Sequence, residues 1–112
     1  MWQDRHSGLR RHKLMTKELG KKVPALGTYR DGGGDDALIE VKLFSPYSGW
    51  RWYLLEWDSD TGECFGYVEG FEKEIGYFNL DELAETKFAG TVPAVERDLY
   101  WSPKTLKEIR AA

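Results

Sequence analysis

Six residues between positions 47 and 57 carry the side chains best suited to bind another molecule. Exposed rings beside an arginine can stack on the bases of single-stranded nucleic acid. The same residue types are enriched at the energetic centres of protein–protein interfaces. Small sheets also fill their cores with rings, and we expect at least half of these rings to be core. The candidate binding surface consists of Tyr47, Trp50, Arg51, Trp52, Tyr53 and Trp57.

Catalytic chemistry has little support in this sequence. His6 and His12 both lie within the first 14 residues, so the rest of the chain lacks the commonest general base. The single cysteine, Cys64, has no histidine in that part of the chain to activate it, and we expect it to fill the core. It also excludes an internal disulfide and a cysteine-based zinc site, which fits a reducing, cytoplasmic compartment. We therefore predict no catalytic residue, no cofactor and no metal site.

Two acidic clusters have only a superficial likeness to ligand sites. Glu69, Glu72 and Glu74 lie near a glycine, but a catalytic carboxylate pair needs a burial and a separation that sequence spacing does not establish. Residues 58–62 place oxygens at alternate positions, but the glycine and the closing glutamate of an EF-hand are not present in register. We expect both clusters to be solvated turns.

The ring-bearing residues are predicted to lie on one strand over residues 50–57. Because side chains alternate between the two faces of a strand, each face receives every second residue. Both faces are then largely apolar, which predicts a central strand or an edge strand whose second face is available to a partner. One face is expected to carry Trp50, Trp52, Leu54 and Glu56, and the other Arg51, Tyr53, Leu55 and Trp57.

The composition predicts one folded domain with a basic leader. The chain has 112 residues, of which 41% are hydrophobic and 14% aromatic, and it contains no apolar run near the about 20 residues of a membrane helix. Residues 1–14 have a net charge of +3, so the remainder has −6. Such an acidic body disfavours broad binding to nucleic acid. We expect residues 1–14 to be a disordered extension, with Met15 as an alternative start, and residues 15–112 to form the domain.

Turn signals divide the body into short elements. Strands are predicted over residues 37–44, 50–57, 63–69 and 75–78, and a glycine loop over residues 24–36. Connections of hairpin length indicate an antiparallel meander of four strands. Helices are predicted after Thr16, after the N-cap Asn79, and from Ser102 and Pro103 to about Arg110. With these short helices on one face of the sheet, the expected class is α+β.

Glu96, Arg97 and Asp98 form a charged cluster ahead of the last predicted helix. An arginine between two acids can make charge-assisted hydrogen bonds. We predict that the cluster is a structural anchor for the C-terminal helix, with ligand contact as the alternative.

Three ordered motifs give the chain a family resemblance. The first is Leu-Phe-Ser-Pro at 43–46 with Trp-Arg-Trp-Tyr at 50–53; the second runs from Phe-Gly-Tyr-Val at 65–68 to Glu-Ile-Gly-Tyr-Phe at 74–78; the third is Glu-Arg-Asp-Leu-Tyr at 96–100. In this order, over about residues 14–108, they resemble the domain-of-unknown-function family 2958. The resemblance implies a small bacterial protein often carried on plasmids, phages and integrating elements, and it brings no catalytic residue.

These observations favour a non-enzymatic accessory or binding protein of a bacterial mobile element. It is expected to act through protein–protein contacts, as a monomer or homodimer. We expect no binding to a membrane. The alternative is a single-stranded nucleic-acid binder that uses the ring-rich strand, which the acidic body disfavours. An enzyme would need a carboxylate pair or a metal site, which only a structure can reveal.

Overall fold

The structure, a computed structural model, describes residues 1–29 and 33–112. Gly32 of the predicted glycine loop lies outside these residues, while Gly34 belongs to a turn of 3-10 helix over Gly33–Asp36. The described α-helices are short: α1 (Ser7–Arg10), α2 (Lys17–Gly20), α3 (Leu80–Glu85) and α4 (Leu106–Ala111). The described strands are β1 (Leu38–Ile39), β2 (Val41–Phe44), β3 (Arg51–Trp57), β4 (Glu63–Glu69), β5 (Lys73–Asn79), β6 (Lys87–Phe88), β7 (Val92–Pro93), β8 (Glu96–Arg97) and β9 (Lys104–Thr105).

The main sheet has five antiparallel strands in the order β5-β4-β3-β2-β8. Its β2–β5 part is the predicted meander, and the predicted α+β class is confirmed. The fifth strand, β8, lies within a segment without a strand signal and pairs with β2 through Leu43 opposite Arg97. Two small antiparallel pairs, β1 with β9 and β6 with β7, complete the described strands.

A β-bulge in β3 changes which residues share a face. Leu54 lies opposite Gly66, but Glu56 lies opposite Phe65, so the register shifts by one residue at Leu55. An inserted residue reverses the alternation beyond it. Leu55 shares a face with Tyr53 as predicted, but the predicted faces are wrong from Glu56 onward: Trp57 packs in the same core as Trp52, and Glu56 lies on the opposite face.

Both faces of the sheet are covered. On one face, Trp52, Leu54 and Trp57 pack with side chains from the leader and α3. On the other face, Tyr53 and Tyr67 pack with Leu106 and Ile109 of α4. The prediction of helices on one face is wrong, because β3 and β4 are apolar on both sides and each side needs a cover.

The leader, residues 1–14, packs on the domain, which differs from the expected disordered extension. Trp2 is 6% exposed, and its indole Nε1 donates to Asp81 Oδ1 at 2.7 Å. Arg10 is buried, pairs with Asp4, and donates from Nε to the Val95 carbonyl at 2.7 Å. The leader is therefore joined to the folded domain by an apolar contact of Trp2 and by the hydrogen bonds of Trp2 and Arg10, while the Arg10–Asp4 pair lies within the leader itself.

Of the three predicted helix starts, the one after Thr16 is found in α2, and the other two have different outcomes. Asn79 is the N-cap of α3 as predicted, accepting from Asp81 N at 2.7 Å. The predicted start of the last helix at Ser102 is wrong. Thr105 caps α4 in a capping box with Glu108, because residues 104 and 105 are extended and pair with β1. Among the described residues, no helix has the length and apolar character needed to cross a membrane.

Candidate functional site

The six residues of the predicted binding surface are not brought together. Tyr47 and Arg51 are exposed and Trp50 is half-buried, whereas the other three side chains belong to the core. Arg51 lies opposite Glu69, on the sheet face that carries Tyr53 rather than Trp52. The core members of the predicted surface are Trp52, Tyr53 and Trp57.

Tyr47 and Trp50 instead join residues from the β6–β7 hairpin to form an open cleft. We call this site the aromatic cleft and define it by its main lining residues. Its volume is about 350 Å³, which lies within the range of small-molecule and side-chain pockets. The lining residues are Tyr47, Trp50, Trp52, Lys87, Phe88 and Val95.

A parallel ring stack forms one wall of the aromatic cleft. The Tyr47 and Phe88 rings lie 4.2 Å apart between centroids, with an interplanar angle of 2°. Phe88 comes from a hairpin whose turn contains Ala89 at a φ of 54° and Gly90 at 75°. The stack therefore joins two turns that lie 41 positions apart in the sequence.

Backbone hydrogen bonds fix the turn that carries Tyr47. Ser45 N donates to the Trp50 carbonyl at 3.1 Å, which closes the β2–β3 connection. Within the turn, Ser45 Oγ accepts from Tyr47 N and Ser48 Oγ accepts from Trp50 N, both at 3.3 Å. These hydroxyl contacts stabilise the loop conformation that presents Tyr47.

The second wall consists of tryptophan. Trp50 stacks on Trp52 at 5.8 Å, and the ring of Phe71 contacts Trp50 at 5.2 Å with an interplanar angle of 82°. Gly70 allows this packing, because a Cβ at position 70 would lie 2.4 Å from the Trp50 ring. Phe71 is 94% exposed and extends the apolar surface beside the aromatic cleft.

The sequence prediction missed Phe71 and Phe88. Phe71 lies between the predicted strands over residues 63–69 and 75–78, and Phe88 lies in a segment with no strand periodicity. The sequence did contain one indication, a large aromatic residue within a polar, turn-like segment. Such a ring cannot be buried by its neighbours in sequence, so it is expected to be exposed or to pack on a distant segment. The stacking of Phe88 on Tyr47 had no local signal at all.

Tyr53 and Trp57 serve the two cores. Tyr53 packs against Tyr67 at 5.9 Å and Trp101 at 5.7 Å between ring centroids. Burial, together with the negative charge of Glu69, raises the pKa of Tyr53 to about 12. Trp57 donates from Nε1 to the Gly20 carbonyl at 3.1 Å.

The charged cluster at 96–98 contacts the leader and β2. Arg97 donates from Nε to the Lys13 carbonyl at 2.8 Å, and its backbone N–H donates to His12 Nε2 at 3.1 Å. Asp98 forms a salt bridge with Lys42 at 3.4 Å. The structure thus places Arg97 against the leader rather than against α4.

Two buried side chains with reactive groups, Cys64 and Glu56, are enclosed by the fold or hydrogen-bonded to its backbone. Cys64 lies in the core, where burial raises the pKa of its thiol well above the usual range. Glu56 is buried, and its carboxylate accepts from Gly27 N at 3.1 Å and Tyr29 N at 2.6 Å. Within residues 1–29 and 33–112, no group of three histidine, cysteine or acidic side chains could hold a metal ion.

A larger cavity of about 610 Å³ lies beside the leader. Its lining includes Trp2, Trp57, one acid and three lysines: Asp4, Lys13, Lys17 and Lys21. Its positive charge suits an anion, but in the described part of the chain no buried side-chain polar atom lacks a partner. This cavity therefore contains, among the described residues that line it, no buried side-chain polar atom without a partner.

Comparison with known proteins places the chain in a family. A family model described as "Protein of unknown function (DUF2958)" matches residues 14–109, which include the aromatic cleft and all five strands of the main sheet. No curated protein and no solved structure matches the chain. On the extent of the family match, the chain belongs to the domain-of-unknown-function family 2958.

Proposed function

We propose that this protein is a non-enzymatic binding module that holds an apolar side chain of a partner protein in the aromatic cleft. The observation that carries the proposal is the open cleft formed by Tyr47, Trp50 and Phe88. Large rings at a concave surface are typical of the anchoring pockets of protein interfaces.

The packing of the rings favours a protein ligand over stacked nucleobases. Base stacking needs free ring faces. Tyr47 and Phe88 cover one face of each other, and Trp50 is contacted by both Trp52 and Phe71. The cleft between these rings suits the insertion of a branched aliphatic, proline or aromatic side chain.

Charge indicates what should accompany that apolar side chain. Among the described residues that line the cleft, Lys87 alone is charged. An acidic residue next to the apolar anchor would complement Lys87, whereas a basic peptide would be disfavoured. The proposed ligand is therefore a protein segment with an apolar anchor flanked by an acid.

The proposed location is the cytoplasm of a bacterium, and the proposed role is that of an accessory protein of a mobile element such as a plasmid or phage. The resemblance of the three motifs to family 2958 supports this setting, and the single cysteine fits a reducing compartment. Fractionation of bacterial cells that express the chain should recover it with the cytosolic proteins.

A random-peptide display screen on the full chain tests the proposed function. Enriched peptides should share an apolar residue next to an acid, and their binding should weaken by on the order of tenfold or more in Phe88→Ser. Tyr100→Ser is the matched control, because Tyr100 is a 94% exposed ring that does not line the cleft. Lys87→Glu should weaken the same peptides.

Two results would overturn the proposal. One is a set of enriched peptides that bind wild type and Phe88→Ser equally, which would place binding elsewhere. The other is salt-sensitive binding of single-stranded DNA or RNA that Phe88→Ser abolishes, because steep salt dependence marks contact with phosphates. That second result would replace the protein ligand with nucleic acid.

A further inference from the structure

The two edges of the main sheet differ in how they end. At one edge, β8 has two residues, and its Arg97 N–H donates to His12 of the leader at 3.1 Å. At the other edge, β5 has seven residues, and no strand in the described parts of the chain pairs with its outer side. An open edge presents a row of backbone donors and acceptors that another strand can pair with.

β5 also lacks two of the features that usually protect an edge, a proline and a bulge. It contains no proline, and its register with β4 runs without a bulge from Asn79 to Lys73. Its charged residues, Lys73 and Glu74, lie at one end. Ile75 and Tyr77 share one face of the strand, and Tyr77 is 70% exposed.

We propose that β5 pairs antiparallel with β5 of a second copy of this chain, around a two-fold axis at Gly76. The two five-stranded sheets then join into one continuous sheet. Opposite residues in an antiparallel pair share a face, so a two-fold axis requires one residue to lie opposite itself. Gly76 is the central residue of Lys73–Asn79. If the axis passes there, every residue of β5 lies opposite a residue of the partner's β5.

This register is self-complementary. Ile75 lies opposite the partner's Tyr77, and Tyr77 opposite the partner's Ile75, which gives two apolar cross-strand pairs on one face. Lys73 lies opposite the partner's Asn79, next to the acidic first turn of α3. No charges of like sign are opposed. A Cβ at Gly76 would have no atom within 4 Å in the single chain, so a side chain placed at the centre has room on that face of the sheet.

The proposed dimer goes beyond the proposed binding function and is independent of it. The aromatic cleft lies at the β2–β3 turn, and β4 and β3 separate β5 from β2 in the sheet. Loss of the dimer would therefore leave the peptide screen unaffected, and loss of peptide binding would leave the dimer unaffected.

Cysteine cross-linking tests the axis directly. In the proposed register, Gly76→Cys places two thiols across the axis at about 4.5–5.5 Å between Cα atoms, which suits a disulfide. The matched control is Lys73→Cys, whose thiol faces the partner's Asn79 and lies about 20 Å along the strand from its counterpart. Cys64 is buried and does not interfere.

Mild oxidation should convert Gly76→Cys into a covalent dimer on a non-reducing gel and leave Lys73→Cys largely monomeric. Equal cross-linking of the two variants would overturn the register. Absence of cross-linking in both variants would overturn the pairing itself.

Sedimentation equilibrium provides the second readout. The wild type should be dimeric at high protein concentration, and Tyr77→Lys should shift it to monomer, because two lysines then lie in the apolar pairs. Tyr100→Lys adds the same charge away from β5 and should remain dimeric. A wild type that stays monomeric at millimolar concentration, or a dimer that tolerates Tyr77→Lys, would overturn the proposal.

Discussion

Gly66 and Gly76 lie directly opposite each other on β4 and β5, yet only Gly76 has room for a methyl group. A Cβ at Gly66 would lie 2.0 Å from the backbone oxygen of Tyr53, whereas a Cβ at Gly76 would meet nothing within 4 Å. The difference follows from the β-bulge, because the bulge brings the β3 backbone over Gly66.

Gly66→Ala should therefore lower the free energy of unfolding by about 3 kcal/mol or more, since the clash is with backbone. Gly76→Ala is the matched control, and it should change stability by no more than about 1 kcal/mol. Urea unfolding followed by tryptophan fluorescence measures both. Similar losses in the two variants would contradict the close approach at Gly66.

The buried pair of Arg10 with Asp4 should stabilise the leader and hold Arg10 where it donates to the Val95 carbonyl of the domain. Their side chains are 1% and 0% exposed, and Asp4 also accepts from Leu14 N at 3.0 Å. Arg10→Met leaves a buried carboxylate without its cation and should cost about 3–5 kcal/mol. Chemical denaturation measures the loss.

Two comparison variants show whether the lost charge partner is the cause. Arg11→Met removes an exposed arginine next to Arg10 and should have little effect. In the double variant Asp4→Asn, Arg10→Met, part of the lost stability should return, because no unpaired charge remains buried. Equal losses in Arg10→Met and Arg11→Met would contradict the burial of this pair.

His12 should make stability depend on pH. Burial and the nearby positive charges of Arg97 and Arg10 lower the pKa of His12 below its ordinary value of 6.5, although Glu96 and Asp4 oppose this shift. The unfolded chain then binds a proton more readily than the folded chain. The stabilisation is present above about pH 6.5 and decreases as the pH falls through that value towards the lower folded pKa.

Denaturation at a series of pH values between 7 and 5 (a window set by the histidine pKa of about 6.5) measures this dependence. His12→Gln should flatten the profile, since glutamine does not titrate, while the amide oxygen can still accept from Arg97 N. His6→Gln is the matched control in the same leader. If the two variants have the same pH profile, the leader contact at His12 does not titrate as predicted.

The thiol of Cys64 should be unreactive in the folded protein. It is fully buried, and burial raises the pKa of the thiol, so little thiolate is available at neutral pH. A disulfide reagent that releases a coloured thiolate should react slowly with native protein and rapidly in denaturant. Fast reaction of the native protein would mean that β4 opens readily around Cys64.

Much of the order of elements was predictable because its determinants are local. Gly and Pro at the turns divided the chain into the strands of the β2–β5 meander. Asn79 was recognised as an N-cap because the hydrogen bond it makes spans two residues. The candidate site was only partly predictable: Tyr47 and Trp50 belong to the aromatic cleft, but Tyr53 and Trp57 are core.

By itself, the sequence determined the α+β class, the meander and the ring-rich composition of the cores, because alternation and turn chemistry act over a few residues. The tertiary structure alone decided the contacts between distant segments. Phe88 stacks on Tyr47, and Trp2 reaches Asp81, 79 positions away. The bulge at Leu55 likewise depends on the facing strand. Such contacts form only when distant segments pack together, so no local pattern in the chain encodes them.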